Sequence, residues 1–172
     1  MLDLWLLVGL GIVLTLGTAL FVASEFSLVA IDPAQVDDDA PGGKRIRKGL
    51  RTLSTQLSGA QVGITLTTVL LGFTAQPALT ELLRIPLESS PLSRAMVGTA
   101  AGVLSLVVVN AFSMIVGELV PKNAAIASPM LTARAVTPFM LGFTALLKPL
   151  ISVLNGAANA ILRLMGIEAR EE

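Results

Sequence analysis

Three uncharged runs divide this chain. Residues 4–24 lie between Asp3 and Glu25, residues 59–80 carry no charge, and residues 95–117 lie between Arg94 and Glu118. Each is long enough to supply the about 20 apolar residues with which a helix crosses a hydrocarbon core. The predicted spans extend over about 4–29, 59–83 and 95–120. The first run has no basic segment ahead of it and no small-residue cleavage site before the polar loop, so it is expected to remain as a helix rather than leave as a signal.

Between the runs, Pro41-Gly42-Gly43 predicts a turn. From Lys44 to Leu57 the apolar Ile46, Leu50, Leu53 and Leu57 recur at helical spacing opposite a basic face. This predicts an amphipathic helix over 44–57, lying at the headgroups; a solvated basic loop is the alternative. The apolar stretch 124–166 is divided by Arg134, Pro138, Lys148 and Pro149 into pieces too short to cross. One or two juxtamembrane helices along the inner surface are expected there, with a fourth span over 136–162 as the competing arrangement. No repeat is evident, so residues 1–172 read as one membrane domain. The fold class is an all-α integral membrane protein with three transmembrane helices and cytoplasmic-side amphipathic helices.

Composition agrees: 53% of the residues are hydrophobic and only 14% charged, with a mean hydropathy of +0.80. Twelve basic residues balance twelve acidic ones and aromatic residues are scarce, so nucleic acid is not an expected partner. With no Cys and no His, thiol chemistry, zinc sites and the usual general base are missing, and no enzyme is predicted. Lys44, Arg45, Arg47, Lys48 and Arg51 assign their loop to the cytoplasm. That puts the N-terminus outside a cell membrane and the C-terminus in the cytoplasm.

Polar residues inside lipid are costly and generally face a partner or a wet cavity. The first span carries Thr15, Thr18, Ser24 and Glu25. In the second, Gln61, Thr65, Thr68, Gly72 and Gln76 share a face, and the third carries Asn110, Ser113, Gly117 and Glu118. If these faces met, they would enclose hydroxyl, amide and carboxylate oxygens with no basic group, which suits a hard cation such as Mg2+, Na+ or Ca2+. Pro121, just after Glu118, is placed to free backbone carbonyls. The plainer alternative for each hydroxyl is a bond to its own backbone or a helix–helix contact. Gly59 with Gly63, and Gly98 with Gly102, permit close helix approach, within one chain or between two. Three spans make a thin wall around an ion, so a homodimer in the lipid bilayer is expected.

These residues resemble the membrane domain of the CorC/CNNM magnesium transporters, also called hemolysin-like. The resemblance lies in Ala23-Ser24-Glu25-Phe26-Ser27-Leu28-Val29-Ala30, in the segment from Leu53 to Leu66, and in Gly117-Glu118-Leu119-Val120-Pro121-Lys122. It implies three membrane helices, an outside N-terminus, a belt of juxtamembrane helices, dimerisation, and cytoplasmic CBS domains after residue 172. It further implies Mg2+ held by side-chain oxygens of the first two helices and by an acid matching Glu118, with export driven by Na+. Gly117 and Pro121 match the helix break beside that acid, and Gly63 falls in the second motif. Thr18 falls where many members have a liganding Ser. Val22 stands in place of a second Ser, and Ile64 and Thr68 in place of two Asn.

The expected ligands are therefore Glu118, Thr18 and Thr68, supported by Asn110, Ser24 and Thr65, with Thr67 as a further oxygen in a rearranged site. Gly117, Pro121 and Gly63 would serve conformational change. A transported ion other than Mg2+, or a membrane anchor and sensor that couples CBS domains to a partner, is the alternative. Replacing Lys44, Arg45, Arg47, Lys48 and Arg51 together by glutamate is expected to weaken the orientation bias. Single cysteines placed in this loop would then react with a membrane-impermeant label outside the cell, and unchanged protection would contradict the assignment.

Overall fold

The computed structural model describes residues 1–91 and 93–166, and these are helical almost throughout. Helix α1 runs Leu2–Ala30 and a 3-10 turn follows at Pro33–Gln35. Helices α2 (Gly43–Arg51) and α3 (Leu53–Leu87) come next, then α4 (Arg94–Phe112). A π-helical stretch, Ser113–Leu119, joins α4 to α5 (Val120–Ala127) without a gap, and α6 (Pro129–Leu146) and α7 (Lys148–Leu164) complete the order. Three helical runs, Leu2–Ala30, Leu53–Leu87 and Arg94–Ala127, are long and apolar enough to cross a membrane. Many of their outward side chains are large and apolar: Phe73 is 79% exposed, and Leu6, Val13, Val69, Val103 and Val107 are exposed with it. Such a surface is at home in lipid rather than in water.

The helices form two compact units. The first comprises Met1–Leu20 and Ile64–Pro121. Its interior is built from small residues: Ala78, Ala101 and Ser105 are buried, and Gly11 lies so close to Ala75 that an added Cβ would strike it. In lipid, which gives helices no hydrophobic reason to associate, such close backbone approach supplies the van der Waals contact that holds them. Ser105 Oγ adds a hydrogen bond to the Gln76 carbonyl at 2.8 Å.

The second unit comprises Phe21–Gly63 and the chain from Lys122 onward. Gly42 enters α2 with φ +82°, and Gly43 packs so tightly on the Asp37 carbonyl that a side chain has no room. Ile46 of α2 is fully buried in a cluster with Ile31, Val36 and Ala133 of α6, with Leu50 and Met130 packed against it. Arg47 pins the preceding loop through Asp38 Oδ1 and the Val36 carbonyl. Phe21, Phe139 and Phe143 form a three-ring cluster, with Phe21 at 5.3 and 4.7 Å from the other two. Phe21 also lies against Gly63, whose missing side chain makes the space for the ring. Gln56, buried, accepts from Thr144 Oγ1 at 3.1 Å and donates to Thr52 Oγ1 at 3.1 Å, tying the start of α3 to α6.

Three local expectations are corrected. The amphipathic helix over 44–57 is two pieces: α2 stops at Thr52 (φ −119°, ψ 37°), whose N–H returns to Gly49, and Leu53 and Leu57 belong to α3. The apolar side of α2 packs on protein, so only its basic side remains for headgroups. In the stretch 124–166, Pro138 and Arg134 do not divide the helix. Pro138 sits exposed inside α6, and a sharp break falls at Leu147, where α6 and α7 bend by 79°. Pro129 and Pro149 open α6 and α7, where the missing N–H costs nothing. By length and composition the bent pair can be one broken span or a re-entrant element. Within α7, Asn155 and Asn159 are half-buried while Val153, Leu154, Ile161 and Leu164 are exposed, the inverse of a water-facing helix.

Gly63→Leu is expected to drive a side chain into the Phe21 ring and destabilise the protein by about 1–3 kcal/mol. Pairing it with Phe21→Ala should recover part of the loss. Unfolding in detergent micelles would measure both, and additive effects would contradict the contact.

Candidate functional site

In the first unit, α1 turns two hydroxyls inward. Thr15 is 0% and Thr18 1% exposed. Thr15 Oγ1 donates to the Gly11 carbonyl at 2.9 Å, satisfying a group that would otherwise be stranded in lipid. Thr18 Oγ1 lies 3.2 Å from the Leu14 carbonyl and 2.7 Å from Thr67 Oγ1 of α3. Thr67 Oγ1 also reaches the Ile64 carbonyl at 3.0 Å. Each hydroxyl has one hydrogen, so only one of the two can donate to the other while the second donates to a carbonyl. The approach is possible because Gly17, beside Thr18, meets only the Thr67 methyl.

The third helical run departs from α geometry beside Thr15. Ser113 and Gly117 are buried, and a Cβ on Gly117 would sit 3.3 Å from Thr15 Cγ2. The π-helical stretch Ser113–Leu119 ends as the Val120 N–H bonds to Ile115. Pro121 follows, and having no N–H it leaves the Gly117 carbonyl without its α-helical donor. Helix-breaking chemistry here produces a widened turn, not an interruption: the chain stays helical through Pro121. Such π turns are frequent at functional positions.

The structure sorts the expected ligands. Thr18 is drawn into the interior, together with Thr67. Thr65, Thr68, Asn110 and Glu118 are exposed. Thr68 Oγ1 returns to the Ile64 carbonyl at 2.7 Å, and Asn110 Nδ2 to the Leu106 carbonyl at 2.8 Å. Of the stripe Gln61, Thr65, Thr68, Gly72 and Gln76, the first four are exposed on an outward face and Gln76 is half-buried. The expected three-faced pocket is therefore not closed within one chain. The inward face of α3 is Thr67, Leu71, Ala75 and Ala78, a small apolar stripe whose single hydroxyl does not stand out in a search for polar periodicity. Ser105, fully buried, carries no such signal either. Among the described residues no three acidic side chains are placed to hold a metal ion together.

In the second unit Ser24 and Ser27 are buried, and Ser27 Oγ donates to the Ser24 carbonyl at 3.3 Å. Glu25 is half-buried beside them. Val22, where a hydroxyl is replaced by hydrocarbon, is also buried. Lys122 Nζ stands 4.7 Å from the centre of the Phe26 ring, which anchors the residue after Pro121 to α1.

Known proteins with this pattern can now be compared. The family model described as the cyclin M (CNNM) transmembrane N-terminal domain matches residues 9–172. The chain belongs to this family. UPF0053 protein MT1890 of Mycobacterium tuberculosis is 44% identical over 163 residues, covering 92% of this chain and 36% of that protein. UPF0053 protein YhdT of Bacillus subtilis is 33% identical over 175 residues, covering 99% and 38%. UPF0053 protein sll0260 of Synechocystis is 32% identical over 163 residues, covering 92% and 36%. The chain thus spans less than half the length of these curated relatives.

A double-mutant cycle on Thr18→Val and Thr67→Val should give a coupling of about 0.6 kcal/mol, the average for hydroxyl pairs between membrane helices. Denaturation in micelles measures it. A coupling of zero would mean that the two hydroxyls do not rely on one another.

Proposed function

We propose that this CNNM membrane domain carries a divalent cation across the cell membrane, with Mg2+ as the ion and Na+ as the driving counter-ion. The observation that carries the proposal is the π-helical turn at Ser113–Leu119 in a chain of this family. Just beyond it Pro121, having no N–H, leaves the Gly117 carbonyl without its α-helical donor, beside Thr15 and one residue from Glu118. Hard cations take oxygen ligands, and Mg2+ prefers few protein ligands together with retained water. Thr18 and Thr67 offer neutral oxygens, and Glu118 supplies the charge. Because Glu118 is exposed in the single chain, the working assembly is a homodimer in which that face of the third helix lines the path. Thr65, Thr68 and Asn110 lie on the outward faces such an assembly would cover. Gly117 and Pro121 give the helix its point of bending, and CBS domains after residue 172 would regulate it from the cytoplasm.

A second function, a membrane anchor and sensor for those cytoplasmic domains, is favoured by two observations. Val22 and Ile64 put hydrocarbon where resembling transporters have ligands, and Thr68 already bonds to its own backbone. Flux separates the two. Vesicles holding the purified protein and an internal Mg2+ dye are expected to show Mg2+ movement that depends on a Na+ gradient and falls at least tenfold in Glu118→Gln. Mg2+ at tenfold its dissociation constant should also stabilise the native protein by about 1.4 kcal/mol, and the variant should lose this. No flux and no ion-dependent stabilisation would leave the anchor.

A further inference from the structure

A groove of about 240 Å³ runs along the first unit. Its walls are Val8 and Gly11 of α1 and Val108 and Phe112 of α4, with Leu71 and Leu79 of α3 along its length. We infer that this groove is a binding site for one acyl chain of a membrane phospholipid. Thr15 contributes the only polar side chain in the lining, and its hydroxyl is already given to the Gly11 carbonyl. Water entering would find no partner, and apolar cavities of this kind stay dry unless an apolar guest fills them. A polar or ionic ligand is excluded on the same ground.

The groove is continuous with the lipid-covered surface. Ile12, Val108 and Phe112 on its rim are 47%, 45% and 41% exposed, and they merge with exposed Leu16, Leu104 and Val107. From Leu71 to Leu79 it follows eight residues of helix, roughly 12 Å, close to the depth of one leaflet's hydrocarbon at roughly 15 Å. One chain of a bilayer lipid therefore fits lengthwise, parallel to the helices. The close contact of Gly11 with Ala75 closes its floor, so α1 cannot collapse further onto α3 to fill it. A seated chain would bear on Thr15, which touches Gly117, and so hold α1 and the π-helical turn at a fixed spacing. The site stands whichever ion is carried.

Two measurements on the purified full chain test this. With a phospholipid carrying a photoactivatable group in its acyl chain, irradiation of the native protein is expected to label peptides containing Leu79 and Val108. Labelling spread evenly over the apolar surface would overturn the site. In native mass spectrometry the wild type should keep one phospholipid per chain through detergent washing. Val107→Phe, on the exposed surface beside the groove, should keep it too. Val108→Phe and Val8→Phe, which fill the groove from opposite walls, should reduce retention at least fivefold. Equal retention in all four overturns the proposal, as does a loss of dimer mass with the groove filled, which would make a second copy of the chain the occupant.

Discussion

Hydrocarbon gives helices almost no solvent-driven reason to associate, yet it makes a backbone or hydroxyl group without a partner costly. The structure follows from these two demands. Contact has to come from close approach, so small residues sit where helices meet: Gly11 on Ala75, Gly17 on Thr67, Gly59 on Thr144, Gly63 on Phe21. Hydroxyls have to be satisfied locally, so Thr15, Thr68, Thr74, Thr80 and Thr99 each donate to the carbonyl four residues earlier. A hydroxyl that reaches across to another helix is therefore informative, and Thr18 with Thr67 is such a case.

The same physics explains what could be read from the chain alone. Three spans follow from the spacing of charges, because a charge is the costliest thing to place in hydrocarbon and its absence over twenty residues marks a helix. The family follows from Gly117-Glu118-Leu119-Val120-Pro121-Lys122 and its companions. Facing is harder to read. In water, polar residues mark the outside of a helix, whereas in lipid both faces are mostly apolar and an exposed Thr costs little once it bonds to its own backbone. Thr65 and Thr68 formed the visible stripe and point outward, while Thr67, on the apolar face, points in. The Gly59 and Gly63 pair is used within the chain, whereas among the described residues nothing lies within 4 Å of where a Cβ on Gly98 or Gly102 would sit. Spacing could not distinguish them.

Breaks were legible only in part. Pro77, Pro86 and Pro138 all lie inside helices, and the sharp bend comes at Leu147, ahead of Lys148-Pro149. A proline at the start of a helix costs no hydrogen bond, so Pro129 and Pro149 mark where helices begin. Inside a helix the chain can continue past the lost bond, and it does so at Pro121, just beyond the π stretch.

That stretch has a consequence for how this segment tolerates change. Its wide turns hold one more residue than an α-helix of the same length, and one residue corresponds to about 100° of rotation about the axis. Loss of a single codon between Ser113 and Leu119 would let the helix tighten while swinging every side chain beyond it to a different compass bearing. Glu118, Pro121 and Lys122 would then leave their present neighbours without any of them being mutated. The number of residues in the segment is thus constrained independently of which side chains it carries.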